Sequence, residues 1–396
     1  MNAVLRSVTG VCAAAALSLA VAALASAVEL LTPVSAAGAG SNELHPRWSP
    51  TGRYLSLERD DGTSRTVEVY AADPGPGLRL VETLALRPAA DGLGFLLDGA
   101  AQGSTYNAWI AWAPDESRFA FVSSGGIGQY DLYLSAVGRG GAAERLTNDA
   151  AADGQVAWSP VGDRLAFVSG RTDRGDLYLL DLATRAVTRL TAEGRSVLHP
   201  EWSPDGRRLA FAVGEGENHD VCVMDVPAGE AAGRAPARRC LTAWPFDDLR
   251  PRWSPDGRRI AFYSSYNAEG EPGVWSLFVV AADGSDPVKG EALLARRVDT
   301  GVVVDLDVGP AFTPDGGGLV YAKRVDRDFN PLYLADLAAR TARRLVTGQS
   351  IHHDVALAPD GRLALRAQVA RWDRVLTGRL RDLVAATAAE APEARR

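Results

Sequence analysis

Residues His199–Phe211 read HPEWSPDGRRLAF, and Arg250–Phe262 read RPRWSPDGRRIAF, which is almost the same phrase. Related phrases surround five further prolines. We call the central proline of each phrase its marker proline, and the seven are Pro50, Pro114, Pro160, Pro204, Pro255, Pro314 and Pro359. They are separated by 64, 46, 44, 51, 59 and 45 residues. Because a β-propeller blade repeats at roughly 45 residues, the phrase predicts a propeller.

Each repeat reads as four short strands. The third contains runs that end at Trp158 or span Arg164–Ser169, Asp176–Leu182 and Val187–Thr191. Their alternating or continuous apolar pattern is typical of strands, and Pro followed by Asp-Gly suits a tight turn. We therefore expect an all-β propeller with seven four-stranded blades. A six-bladed ring remains an alternative, because no fourth strand follows Leu380 in the last repeat.

A large ring recurs two residues before nearly every marker proline. The residues at this position are Trp48, Trp112, Trp158, Trp202, Trp253, Phe312 and Leu357. A blade cannot bury both faces of its sheet alone, so we expect these rings to pack between neighbouring blades rather than to bind a ligand.

Four segments are expected along the chain. Residues 1–27 are a signal peptide, residues 28–43 could close the ring, residues 44–381 form the propeller, and residues 382–396 are a helical or disordered tail. The segment Leu86–Asn107 is an insertion after the first blade. Within the second segment, VELLTPVS at Val28–Ser35 could provide the missing strand of the last blade and cover its edge.

The N-terminus has the pattern of an export signal. Val11–Leu24 is apolar but shorter than a bilayer span, and Ala25-Ser26-Ala27 fits a cleavage site. We expect a periplasmic or secreted protein that begins at Val28, with an uncleaved membrane anchor as the alternative. No other stretch of the sequence is long and apolar enough to span a bilayer.

Charge makes nucleic acid an unlikely partner. The formal net charge is −7, and removing residues 1–27, whose one charged residue is Arg6, makes it −8. An acidic surface repels phosphate backbones, and the sequence has no basic aromatic stripe. We expect a monomer.

Two cysteines remain after cleavage. Cys222 and Cys240 lie in the third and fourth strands of one blade. If Leu182 pairs with Val187 in the preceding blade, the equivalent positions are diagonal, which is slightly far for a disulfide. A disulfide and two buried thiols both stay open.

One position varies where the others are constant. The residues five before the marker prolines, which we call the mouth ring, are His45, Trp109, Gln155, His199, Arg250, Gly309 and Asp354. We expect them to begin the innermost strands at one mouth of the central channel. Variation at equivalent sites of a rigid scaffold favours a binding surface, formed by His45, Trp109, His199, Arg250 and Asp354.

The phrase WSPDGRRLAF, followed by a strand such as DLYLLDL and a closing RLT, resembles the TolB-like propellers. The resemblance covers nearly the whole mature chain. It implies an envelope protein whose propeller binds protein partners. In TolB itself a smaller α/β domain precedes the propeller, and we expect that domain to be absent here, because only some twenty residues lie between the cleavage site and the first blade.

The same phrase resembles the propellers of two enzyme families. Prolyl-oligopeptidase-type peptidases carry a G-x-S-x-G serine, which this sequence lacks, so we expect no peptidase. Oligogalacturonate lyases hold a divalent metal with histidines and a glutamine. Gln349, His352 and His353 match that pattern in part and could ligate a metal, but we expect them to be solvated loop residues, with the metal site as the alternative.

These observations predict a non-enzymatic propeller, without a cofactor, that binds an envelope protein or peptide at the channel mouth. The alternative is a metal-dependent carbohydrate enzyme.

Overall fold

The seven-bladed propeller is confirmed in a computed structural model. The structure describes residues 30–35, 40–72, 77–84, 107–124, 129–139, 143–172, 174–192, 194–216, 218–227, 236–266, 275–304, 308–326 and 328–390. Within these ranges the chain forms seven four-stranded antiparallel sheets arranged as the blades of a ring. The six-bladed alternative is therefore excluded. The expected signal peptide and the insertion Leu86–Asn107 lie outside the described residues, except for Asn107.

The strands are short, and in the first six blades the four strands follow one another in chain order. They are Thr32–Pro33 (β1), Asn42–Trp48 (β2), Tyr54–Asp60 (β3), Arg65–Ala71 (β4), Arg79–Leu84 (β5), Asn107–Trp112 (β6), Arg118–Ser123 (β7), Asp131–Ala136 (β8), Ala143–Arg145 (β9), Asp153–Trp158 (β10), Arg164–Ser169 (β11), Asp176–Asp181 (β12), Val187–Arg189 (β13), Ser196–Trp202 (β14), Arg208–Glu215 (β15), Asn218–Asp225 (β16), Arg238–Cys240 (β17), Asp248–Trp253 (β18), Arg259–Ser264 (β19), Trp275–Ala281 (β20), Arg297–Val302 (β21), Ala311–Phe312 (β22), Gly318–Ala322 (β23), Leu332–Asp336 (β24), Thr341–Arg344 (β25), His352–Leu357 (β26), Arg362–Val369 (β27) and Trp372–Arg379 (β28).

Two helices complete the described chain. They are Gly290–Leu294 (α1) and Leu380–Glu390 (α2). Leu383 of α2 is fully buried in one cluster with Leu31 and Leu345, and Thr387 accepts a hydrogen bond from the backbone N–H of Val346 at 3.0 Å. Neither helix has the length and apolarity needed to cross a bilayer.

The N-terminal segment closes the ring in the structure. Strand β1 pairs with β28, so that the seventh blade has the order β1-β28-β27-β26. The last blade thus takes its outer strand from the start of the chain and its other three from the end. This arrangement covers the edge of β28 and ties the two ends of the propeller together.

The recurrent rings pack between blades, as the sequence predicts. Trp202 is 6% exposed, and its indole N–H donates to the backbone oxygen of Ala157 in the preceding blade at 3.1 Å. The Arg164 guanidinium, also from the preceding blade, lies 5.5 Å from the centre of the same ring. The same stacking recurs for Arg118 on Trp158, Arg208 on Trp253 and Arg362 on Trp48.

The structure bonds Cys222 to Cys240. The diagonal placement expected from the sequence is wrong, since the two cysteines lie directly opposite each other on β16 and β17. The register differs from the expected one because the equivalent hairpin of the third blade begins its turn earlier. There Val187 lies opposite Leu180 rather than Leu182. The carboxylate of Asp181 accepts the backbone N–H groups of the next residues, which starts the turn at Asp181.

Candidate functional site

A cavity of about 460 Å³ fills the centre of the ring. Each blade contributes part of the segment that runs from its mouth-ring residue to its marker proline. This segment contains the end of the innermost strand. From Gln155 to Pro160 this is five steps along an extended chain, or about 16 Å. The cavity is therefore a channel with the mouth ring at one end and the Pro-Asp-Gly turns, which we call the turn face, at the other.

The mouth ring divides into two groups. Five members line the channel, and they are Trp109, Gln155, His199, Arg250 and Gly309. The other two, His45 and Asp354, are 5% and 2% exposed and do not line it. The structure thus brings together three of the five predicted binding residues, Trp109, His199 and Arg250, at one mouth.

The prediction that these residues begin the innermost strands is wrong. His199, for example, is the fourth residue of β14, inside a β-bulge between Leu198 and Glu201. Equivalent bulges interrupt the innermost strands of six blades among the described residues. A bulge re-aims a side chain relative to the regular pleat, and here it occurs where the chain passes the channel.

Five members of the mouth ring have a left-handed backbone although none of them is glycine. Their φ angles are 48° for His45, 51° for Trp109, 49° for Gln155, 58° for His199 and 57° for Arg250. A residue with a Cβ adopts this conformation at a cost of about 1–2 kcal/mol. Five residues of four different types therefore share the same strained backbone geometry.

Glu58, in β3 of the first blade, contacts the mouth-ring residues of the first and second blades. Its carboxylate lies 3.0 Å from His45 Nδ1 and 3.1 Å from Arg65 Nη1. It also accepts the backbone N–H of Trp109 at 3.1 Å. The strained backbone of Trp109 is thus held by the preceding blade. Its indole lies against Gly154 of the next blade, where a Cβ would come within 3.2 Å of the ring.

Gln155, His199 and Arg250 form one sector of the mouth. Gln155 Oε1 accepts the backbone N–H of His199 at 2.6 Å. Burial, and to a smaller extent the positive charge of Arg250, lowers the pKa of His199 well below its usual value. The imidazole is therefore neutral at pH 7. Its Nδ1 is buried and has no hydrogen-bond partner among the described residues.

Asp354 forms an ion pair with Arg366 inside the seventh blade. Arg366 approaches it with Nε at 3.0 Å and donates from Nη2 at 3.2 Å. Arg366 also lies 3.4 Å from Asp373, which is 3.7 Å from His353. Asp354 therefore belongs to a charge cluster within the seventh blade rather than to the open mouth.

The three residues predicted as possible metal ligands lie in β26 and in the loop before it. His352 is fully buried, its Nδ1 donates to the backbone oxygen of Asn330 at 2.7 Å, and its Nε2 lies 2.7 Å from Thr347 Oγ1. Burial lowers the pKa of His352 to about 4. Both nitrogens are engaged, so a metal would have to displace a partner. Gln349 is half-buried in the preceding loop.

The binding surface predicted from the sequence did not include several residues that line the channel. Arg47, Glu201 and Arg252 line the cavity two positions beyond the mouth ring, and Arg252 Nη1 lies 2.8 Å from Glu201 Oε1. Their signal was present in the sequence. Three of the seven residues at this position are charged, whereas the others are alanines.

The comparisons with known proteins agree with this architecture. Residues 100–289 match the family model described as the TolB β-propeller domain. The chain is 21% identical to TolB from Acinetobacter baumannii, with a TM-score of 0.51, and the match covers 80% of this chain and 66% of that one. The resemblance to TolB-like propellers is therefore confirmed, although the match spans slightly less than two thirds of that TolB chain.

Two enzyme structures share the fold. An oligogalacturonate lyase in complex with manganese is 12% identical, with a TM-score of 0.61 over 88% of this chain and 92% of that one. A puromycin-hydrolysing peptidase from Mycobacterium tuberculosis is 16% identical, with a TM-score of 0.59 over 87% of this chain and 52% of that one. At such identities the likeness shows the fold alone. No curated protein sequence matches the chain significantly.

Proposed function

We propose that this TolB-like propeller is a non-catalytic module of the cell envelope that binds a protein or peptide segment at its mouth ring. One observation carries the proposal. Four strained, non-glycine residues from four consecutive blades, Trp109, Gln155, His199 and Arg250, line one mouth of the central channel.

Strain at this place supports a role for the side chains. Unfavourable backbone conformations persist where the surrounding structure holds them, and they cluster at binding sites. Glycine would remove the steric cost, yet five blades keep a larger residue at this position. The blades form a rigid scaffold on which each side chain is fixed, so a partner meets a prearranged surface.

The residue types at the mouth also favour protein recognition. Trp109 is half-buried, and Arg250 is 8% exposed at the edge of the cavity. Trp and Arg are the side chains that most often dominate binding energy at protein interfaces, particularly in desolvated pockets. Trp109 is held by both neighbouring blades, through Glu58 and Gly154, which limits the entropy that it loses on binding.

The channel lining supports binding rather than catalysis. Its described residues include no serine, threonine, cysteine or tyrosine that could act as a nucleophile. The carboxylate among them, Glu201, is engaged by Arg252 at 2.8 Å. His199 is a neutral imidazole, and no carboxylate among the described residues pairs with it to activate it as a base.

Export underlies the location that we propose. The apolar segment Val11–Leu24 followed by Ala25-Ser26-Ala27 fits cleavage before Val28. N-terminal sequencing of the protein from periplasm or medium should therefore begin at or near Val28. A mature protein that still begins at Met1 would contradict cleavage of a signal peptide and favour a form anchored by the uncleaved segment.

The binding role is tested by capture from an envelope extract with matched variants. Trp109→Ala and Arg250→Ala should each weaken the capture of a specific partner about thirtyfold, as expected for the loss of 2 kcal/mol at a hot spot. Arg258→Ala is the control, because Arg258 is exposed on the turn face. All variants should melt near the parent temperature. Equal capture by all three variants would place the site elsewhere.

A further inference from the structure

Aspartates from neighbouring blades meet at two places around the ring, and we call the contact between two neighbouring blades a seam. Asp131 of β8 and Asp153 of β10 lie in the seam between the second and third blades, where their charges repel each other. Asp220 of β16 and Asp248 of β18 lie in the seam between the fourth and fifth blades. Asp153 and Asp248 are equivalent residues, because each stands seven residues before its marker proline. The two seams can therefore be compared position by position.

Two arginines neutralise the first pair of aspartates. Arg145 Nη2 lies 2.5 Å from Asp131 Oδ2, and Arg171 Nη2 lies 3.1 Å from Asp153 Oδ2. A buried carboxylate can stay charged when a guanidinium binds it directly. The seam between the second and third blades therefore carries two ion pairs.

The seam between the fourth and fifth blades has other residues at both arginine positions. Cys240 takes the place of Arg145, since each stands two residues before the threonine that ends the last strand of its blade. Cys240 is bonded to Cys222 and carries no charge. Tyr266 takes the place of Arg171, since each stands eleven residues after its marker proline. The second pair of aspartates thus lacks both of the cations that the first pair has.

Among the described residues, the groups that contact Asp248 carry no positive charge. Asp248 is fully buried, and its Oδ2 accepts the indole N–H of Trp244 at 2.7 Å. The hydroxyl groups of Thr242 and Ser264 also face its carboxyl group. Its Oδ1 is buried without a hydrogen-bond partner in the part of the chain that the structure describes. An acid in such a place keeps its proton more readily, because burial penalises the charged form.

Asp220 is half-buried in the fourth blade, where Thr242 Oγ1 donates to its carboxylate at 3.4 Å. Burial raises the pKa of Asp220. The positive charges of Arg195 and Arg238 counter this rise only from a distance, because neither forms an ion pair with Asp220 in the described chain. A charged Asp248 would therefore meet a second carboxylate rather than a cation.

The same seam holds one side of the mouth ring. Asp248 stands two residues before Arg250 on β18. The preceding residue, Asp247, accepts the backbone N–H of His219 at 3.1 Å and lies 2.7 Å from His219 Nδ1, which joins the start of β18 to β16 of the fourth blade. A change that loosens this seam therefore also frees Arg250 to move relative to the fourth blade.

We propose that a proton on Asp248 closes the seam between the fourth and fifth blades, and that release of this proton to solvent loosens the seam and the mouth ring beside it. Two carboxylates without a cation repel each other, so the closed seam holds a proton that the open seam gives up. Opening therefore becomes easier as the pH rises. Burial and the charge of Asp220 raise the pKa of Asp248 to about 7 from an ordinary value of 3.8, so the change spans this range of pH. The inference concerns the blades themselves and holds whether or not a partner binds at the mouth.

Amide hydrogen exchange of the mature chain, followed by mass spectrometry between about pH 5 and pH 8, tests the proposal. The probes are peptides that cover β16 and β18, and the rates are corrected for the intrinsic effect of pH on exchange. We expect protection in these two strands to fall by about tenfold for each pH unit up to about pH 7 and then to level off. Peptides that cover β8 and β10, from the seam with two arginines, should show a much smaller change.

Two variants should abolish the pH dependence in β16 and β18. Asp248→Asn imitates the protonated acid and keeps an oxygen for the indole of Trp244. Tyr266→Arg returns a guanidinium to the position that Arg171 has in the third blade, so that Asp248 can stay charged. Asp153→Asn is the matched control, because it makes the same change at the equivalent position, and it should leave the pH dependence of β16 and β18 intact.

The proposal is overturned if protection of β16 and β18 in the parent does not depend on pH, or if all four strands respond equally. It is also overturned if the dependence survives in Asp248→Asn, because the titrating group would then be His219 in its contact with Asp247. If Tyr266→Arg does not fold, Asp248→Asn still decides. The measurement needs no partner, so its outcome is distinct from that of the capture experiment.

Discussion

Gln155 shows at the scale of one residue how the mouth is built. Its backbone is left-handed, its amide oxygen holds the neighbouring blade at His199, and its side chain lines the channel. The sequence identified this position by its variation. It could not predict the left-handed backbone, because glycine and asparagine, the residues that signal such a conformation, do not occupy the five strained positions.

Because the backbone at Gln155 is strained, we expect a glycine variant to be more stable than an alanine variant, which reverses their usual order of stability. Both Gln155→Gly and Gln155→Ala remove the hydrogen bond to His199, but only glycine relieves the left-handed backbone. The glycine variant should therefore be more stable than the alanine variant by about 1 kcal/mol. Urea denaturation of both variants measures the difference. An alanine variant of equal or greater stability would mean that the backbone relaxes to another conformation.

Asp248 provides a prediction about pH. It is fully buried, and burial raises its pKa to about 7, even though the indole of Trp244 donates to it at 2.7 Å. Between an unfolded pKa near 3.8 and the folded value, the folded protein holds a proton that the unfolded chain has lost. The contribution of this group to stability therefore falls as the pH rises from about 4 to 7.

Asp248→Asn should remove that dependence while keeping an oxygen that accepts from Trp244. The free energy of unfolding of the variant, relative to the parent, should rise by roughly 3–4 kcal/mol between pH 4 and pH 8, from about 1.4 kcal/mol per pKa unit. Denaturant melts across this range measure it. A constant difference between the two proteins would mean that Asp248 ionises normally.

Among the structural elements, the main role of the repeated sequence phrase is to hold neighbouring blades together. The aromatic ring, the tight turn and the arginine four residues after the marker proline bring two blades together, as Arg208 shows. It stacks on Trp253 with 4.6 Å to the ring centre and donates to the backbone oxygen of Gly257 at 3.1 Å. The sequence predicted the packing of the rings but not the arginine that covers them.

Trp202→Ala should cost about 3–5 kcal/mol, the usual range for truncating a buried aromatic. The variant loses both the hydrogen bond to Ala157 and the stack with Arg164. Val187→Ala is the control, because Val187 is 40% exposed on an outer strand. Equilibrium denaturation measures both. A loss below about 1 kcal/mol for Trp202→Ala would show that the ring is not packed between blades.

The Cys222–Cys240 disulfide joins the two outer strands of the fourth blade across 18 residues. Closing a loop of that size restricts the unfolded chain by about 3 kcal/mol. Dithiothreitol should therefore lower the melting temperature of the parent and leave the Cys222→Ala/Cys240→Ala variant unchanged. Two thiols titrating in the non-reduced folded protein would contradict the bond.

At the scale of the whole molecule, the repeat was sufficient to predict seven blades and the aromatic layer. Two features depended on contacts that no repeat encodes. The register of the fourth strand follows from the Asp181 turn, whose side-chain hydrogen bonds begin the hairpin earlier than the apolar pattern suggests. His45 and Asp354 turn away from the channel because Glu58 and Arg366 engage them from positions that sequence spacing could not pair.

We propose that a partner occupies the mouth-ring end of the channel. Photo-crosslinking in the intact envelope tests it directly, with benzoylphenylalanine placed at Trp109 in one variant and at Val161 in another. Val161 is 61% exposed beside the marker proline at the turn face, so it samples the opposite end. We expect a specific adduct from position 109 and none from position 161. An adduct from position 161 alone, or equal adducts from both, would contradict it.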